Sequence, residues 1–156
     1  MAGQTTTLLS KLQHPGGQVV VLNAPPEFLP VMDRWRSEGL PVSQRRTPGS
    51  QFVLAFVHNC GEIERNAGAI ITSVGADGVL WFAYPKQSST KYRSDIGRDN
   101  SWAVVGRMGF EGVRQVAIDD DWTAIRFRHV NNIRTMTRDP ARAMTAVGRA
   151  RVGGQA

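Results

Sequence analysis

The chain of 156 residues is long enough for one domain with a substantial core, since about 70% of the unfolded surface can be hidden at this size. Its single cysteine, Cys60, excludes an internal disulfide framework, and three widely separated histidines (His14, His58, His129) offer no Cys/His zinc site. The net charge of +6 is unevenly spread: residues 130–156 carry five arginines against Asp139 alone, which is 5 − 1 = +4 of it. No apolar run approaches the ~20 residues that span a bilayer. The opening "MAGQTTTLLSKLQHPGG" lacks a basic segment leading into a long apolar one, so no signal peptide is expected and the location expected is a bacterial cytoplasm.

"TTLLSKLQH" predicts a short leading helix capped by a threonine and stopped by "PGG". "QVVVLNA" (18–24) is a β-branched run between Gly-Gly and Pro-Pro, the pattern of a strand buried on both faces. "PPEFLPVMDRWRSEG" (25–39) predicts a helix opened by proline, kinked or shortened at Pro30 and closed by Gly39. "LPVSQR" reads as a short edge strand and "RTPGS" as a turn. "QFVLAFV" (51–57) is a second buried strand, and 60–75 spaces Ile63, Ala67, Ile70, Ile71 and Val74 at helical intervals.

"ADG" then predicts a turn and "VLWFAYP" (79–85) a third buried strand. Over 99–110, Asp99 is the candidate cap of a helix that places Trp102, Val105 and Met108 on one face. "VRQVAID" (113–119) and "WTAIRFRHV" (122–130) are strands separated only by "DDD", which requires a tight turn and an antiparallel hairpin. "DPARAMTAVGRA" predicts a last helix before a frayed end.

Strands alternating with helices imply a mostly parallel sheet covered on both faces. The fold class is therefore α/β: a three-layer sandwich whose sheet ends in an antiparallel hairpin. Residues 1–133 make that domain, and 134–156 form a basic C-terminal tail, partly helical. Over 18–129 this order resembles the class I methyltransferase fold, a Rossmann-like arrangement, in reduced form. The span from Gly39 to Gln51 is too short for the extra strand and helix of a full enzyme. The strand, helix, "GVLWFAYPK", polar loop, "GF" and Trp-bearing strand pair also resemble a bacterial domain-of-unknown-function family, a resemblance that implies no established activity.

The methyltransferase resemblance implies S-adenosylmethionine, held by a Gly-rich turn after the first strand, where only glycine lets the backbone come close. Here that turn is "LNAPPEF", with no glycine and two prolines that lack N–H donors. "PVSQRR" is basic where an acidic ribose partner belongs. The expectation is a relative without cofactor; a divergent S-adenosylmethionine-dependent methyltransferase is the alternative.

Ligands of open parallel sheets gather outside the carboxyl ends of the strands. Three loops leave those ends here: "NAPPEF", "HNCGE" and "YPKQSSTKYRSDIGRDN". They would bring together Asn23, His58, Lys86, Ser88, Ser89, Lys91 and Arg93, and ammonium, guanidinium and hydroxyl donors together suit an anion. The plain reading of the third loop is a solvated connection whose cations pair with Asp95 and Asp99. No Walker pattern is present.

Cys60 opens a helix after His58, a setting that favours a thiolate, but no third orienting residue is evident and a bystander is the expectation. Asp99 and Trp102 are read as cap and core, and "DDD" at 119–121 as a turn. No catalytic or metal-binding residue is assigned. The leading function is a non-catalytic domain that binds an anionic small molecule or a protein partner. A further alternative is a nucleic-acid-associated protein that touches polyanions weakly through its basic tail, which lacks aromatic stacking groups. No membrane contact is expected.

Overall fold

The computed structural model describes residues 8–97 and 101–133. A helical turn over 8–11 precedes β1 (Val19–Leu22). A 3-10 turn, Pro26–Phe28, leads into α1 (Leu29–Ser37), and β2 is Val42–Ser43. β3 (Ser50–Phe56), α2 (Cys60–Ser73) and β4 (Val74–Pro85) follow. A short α3 (Ala103–Arg107) precedes the hairpin strands β5 (Phe110–Ala117) and β6 (Trp122–His129).

The six strands form one sheet in the order β2-β1-β3-β4-β6-β5. β2, β1, β3 and β4 are mutually parallel, while β6 runs antiparallel to both β4 and β5. This is the expected α/β class, a mostly parallel Rossmann-like sheet ending in an antiparallel hairpin. β5, not β6, takes the edge.

Two cores explain why the central strands read as unbroken apolar runs. On one face Val20, Leu22, Val53, Ala55, Leu80 and Phe82 pack under α2 and α3 through Ile63, Ala67, Ile70, Trp102 and Val105. On the other Val19, Val21, Phe52, Leu54, Trp81 and Ala83 pack under α1 and the leading turn through Leu12, Phe28, Met32 and Trp35. A strand covered on both sides has no polar face to alternate with. The same cause blurs β6, where Trp122 and Ala124 serve one core and Ile125 and Phe127 the other.

Three local expectations are corrected. Pro30 does not kink α1, but the helix expected over 25–39 is shortened to Leu29–Ser37; Pro30 stands in the first turn, where its missing N–H has no intrahelical partner to lose. "ADG" does not separate helix from strand: α2 runs straight into β4, and Gly75–Gly78 bulge out of the ladder, with Ser50 opposite Val74 and Phe52 opposite Val79. Asp77 takes φ 51 at the tip of that excursion. The helix expected over 99–110 shrinks to Ala103–Arg107, with Trp102 at its N-cap and buried. The threonine cap, Asp99, and the tail with its last helix lie outside the described residues.

Candidate functional site

The strand order reverses between β1 and β3, because β1 continues to β2 on one side and β2 returns to β3 on the other. In open α/β sheets the crevice beyond the carboxyl ends at such a point is the ordinary place for a ligand. Asn23 stands there with φ 58, a left-handed conformation that asparagine tolerates. Its Nδ2 donates to the Phe56 carbonyl (3.1 Å) and lies 3.4 Å from Glu62 Oε1. The side chain thereby ties the end of β1 to the end of β3.

Glu62 takes part in a variant of the capping box, its carboxylate reaching one residue beyond the N-cap. Asn59, the N-cap of α2, accepts from the Glu62 backbone N–H at 2.9 Å. The Glu62 carboxylate reaches back to accept from the His58 N–H, also at 2.9 Å. The His58 Nδ1 lies 3.4 Å from the same oxygen. The His58 ring meets Trp122 edge-on at 5.1 Å and Tyr92 at 5.7 Å. Its side chain keeps 35% exposure, so one side of the ring faces solvent.

Behind this ring lies Glu27, carried by the turn after β1. Tyr92 donates its hydroxyl to the carboxylate, 2.9 and 2.7 Å from the two oxygens. Trp122 donates Nε1 at 2.9 Å and Lys91 its ammonium at 3.2 Å. Burial alone would raise the Glu27 carboxyl; the donors from Tyr92, Trp122, its own backbone and Lys91 override that and hold it at about 2. Tyr92 moves the opposite way, raised by burial and by the carboxylate it serves.

The long loop after β4 is anchored along its length. The Lys86 N–H donates to the Asp121 carbonyl at 2.8 Å. Ser89 Oγ donates to the Asp121 carboxylate at 2.8 Å and accepts from the N–H groups of Lys91 and Tyr92. Asp119 accepts from the Asp121 and Trp122 N–H groups, which makes "DDD" the expected tight turn. Further along, Asp95 accepts from the Cys60 N–H at 2.8 Å, so its carboxylate sits on the first turn of α2. That bond is the main reason its carboxyl is lowered.

The residues singled out from sequence are thus brought together in part. Asn23 and His58 meet at Glu62, while Ser89 is committed to Asp121 and Lys91 to Glu27. Lys86 is half-buried and Ser88 and Arg93 are exposed, their side chains hydrogen-bonded to none of the described residues. The Cys60 thiol lies against the Asp95 carbonyl (3.4 Å) and Ser101 Oγ (3.5 Å), whereas the His58 ring lies against Glu62, Tyr92 and Trp122.

Sequence reasoning missed Glu27, Trp122 and Glu62, and with them the carboxylate that the Tyr92 hydroxyl of the loop serves. The N-x-x-E spacing of Asn59 and Glu62 after an apolar strand was a usable signal. The convergence of Glu27, Tyr92 and Trp122 from three distant segments had none.

Among the described residues no group of three or more His, Cys, Asp or Glu is arranged to hold a metal ion. No helix among them is long and apolar enough to cross a membrane.

No protein-family model matches the chain, and no curated protein matches it. Among solved structures, a SAM dependent methyltransferase from Aquifex aeolicus is similar over 83% of this chain and 78% of its own. The identity is 13% and the TM-score 0.46, a likeness too distant to carry chemistry across.

Proposed function

We propose that this chain is a non-catalytic binding domain that takes an anionic small molecule at the carboxyl edge of the sheet. The observation that carries the reading is the anchoring of the loop after β4. Glu27, Asp121 and the Cys60 N–H hold it at several points, so the lip of the crevice is ordered before a ligand arrives. Lys86 and Arg93 are the cations on that lip that pair with no described residue, and the half-exposed His58 ring stands beside it. Lys91 contributes least, because Glu27 already neutralises it.

The same geometry speaks against S-adenosylmethionine. The turn where a cofactor would need close backbone approach holds Asn23 against Phe56, and Pro25 and Pro26 offer no N–H. Asp95 already occupies the first turn of α2. The test is to soak crystals in sulfate and to titrate phosphate by calorimetry. Wild type should bind at the lip, and Lys86→Ala and Arg93→Ala should each weaken binding several-fold, with Lys91→Ala changing it less. Anions settling elsewhere, or heat on addition of S-adenosylmethionine, would sink the reading.

A further inference from the structure

The opposite end of the sheet carries a different feature. β6 runs antiparallel to β4, so Trp122 lies by the carboxyl edge and Arg126 and Arg128 lie towards the other. Residues two apart on a strand share a face, so Arg126 and Arg128 stand side by side. Arg114 on β5 is paired directly with Arg126 across the ladder. Like charges placed directly opposite on a sheet repel each other.

Carboxylates offset this cluster only at Arg128, which Glu111 faces across the β5–β6 ladder. Asp77, at the tip of the β4 bulge, takes Arg128 in a two-point pair, 2.9 Å from Nε and 2.7 Å from Nη2. Arg126 gives Nη1 to the neutral Gln13 amide oxygen, and its Nε is buried without a hydrogen-bond partner. Arg114 is exposed, and no carboxylate among the described residues forms an ion pair with it or with Arg126. Burial, and then the positive charge of Arg128, lower the Arg126 guanidinium, with Arg114 adding to the effect and Asp77 opposing it. The chain leaves β6 at His129, and the sequence beyond adds Arg134, Arg138, Arg142, Arg149 and Arg151.

We propose that the β5–β6 hairpin presents a second site, distinct from the carboxyl-edge crevice: a docking face for the phosphate backbone of duplex nucleic acid, centred on the cross-strand pair Arg114–Arg126. Guanidinium is the side chain suited to phosphate, offering two parallel N–H donors to its oxygens. A phosphate seated between the two arginines replaces their mutual repulsion with attraction to a shared anion. Duplex is favoured over single strands because the cluster includes no aromatic side chain for base stacking. Recognition through backbone phosphates is independent of base sequence.

The test uses the full chain and a fluorescein-labelled DNA duplex of about 20 base pairs, read by anisotropy between about 50 and 200 mM salt. Each phosphate contact contributes about 0.9 to the slope of log affinity against log salt. Arg114→Gln should therefore flatten the slope by about 0.9, and Arg114→Gln/Arg126→Gln by about 1.8, with the tail intact. Arg36→Gln, on α1 and paired with Asp33, should leave the slope unchanged. Arg114 is exposed, so its single variant decides the matter even if the double variant fails to fold. Without DNA, Arg114→Gln should melt no lower than wild type.

A wild-type slope in Arg114→Gln would overturn the proposal and leave DNA contact to the tail. So would tighter binding of a single strand than of the duplex. Full displacement of the duplex by millimolar inorganic phosphate would instead mean a site for a small anion.

Discussion

Glu27→Gln is the most informative single change, because it keeps the shape of the side chain and removes its charge. The carboxyl falls from an ordinary 4.5 to about 2. At ~1.36 kcal/mol per pH unit this caps its contribution near ~3.4 kcal/mol. Glu27 keeps 23% side-chain exposure and Lys91 keeps 54%, so solvent screens part of the attraction. A loss of ~1–2 kcal/mol at pH 7 is the expected value. A carboxyl lowered on folding stabilises fully above its unfolded value, near 4.5, and that stability drains as pH falls from there through about 2. Urea unfolding of both proteins at several pH values should therefore show a gap at pH 7 that narrows below 4.5 and closes near 2. A gap that is the same at both ends of this range would refute the reasoning, since it would mean that shape and not charge matters. Absorbance titration of tyrosine gives an independent check. Tyr92 is held above 10 by burial and by Glu27, and should titrate lower in the variant.

Three further changes probe the scaffold by urea unfolding. Leu80→Ala, fully buried in the central strand, should cost ~2–5 kcal/mol by leaving a cavity; less than ~1 would mean the strand is not central. Asn59→Ala should cost ~1 kcal/mol through loss of the α2 cap bond to the Glu62 N–H. Gly78→Ala should cost ~1–3 kcal/mol, because an added Cβ would stand 2.7 Å from the Ser50 carbonyl oxygen, which belongs to a paired strand and cannot yield freely.

The layers were legible because buried parallel strands leave a coarse mark. "VVVL", "FVLAF" and "VLWFAY" cannot alternate when helices cover both faces, and the tight "DDD" turn leaves only a hairpin. Boundaries were less legible where geometry depends on a neighbour. The bulge at Gly75–Gly78 exists because β4 must realign against Ser50 and Phe52, and "ADG" alone resembles any turn. Pro30 reads as a breaker until the 3-10 turn before it is known, which moves it into the opening turn of α1. The meeting of the three loops was legible, but the charge found there was not. The three loops do meet, through Asn23, Glu62 and Glu27, yet the cations counted along the 86–93 stretch reveal nothing of a glutamate some sixty residues earlier that neutralises one of them.

The distribution of that charge separates the two ends of the molecule. At the carboxyl edge the chain supplies its own anions: Asp95 sits on the first turn of α2, Glu62 on the His58 N–H and Glu27 among Lys91, Tyr92 and Trp122. If the proposed anion binds there, it would meet a lip on which carboxylates already hold several of the donors, so the proposal predicts only modest affinity through Lys86 and Arg93. At the other end Asp77 and the cross-strand Glu111 both stand at Arg128, and the like-charged pair Arg114–Arg126 is left facing itself. Repulsion inside a folded sheet lowers stability wherever nothing external relieves it. The two ends therefore differ in what a bound anion would do for the fold. At the crevice it would add to a network already closed; on the hairpin it would complete one that is open.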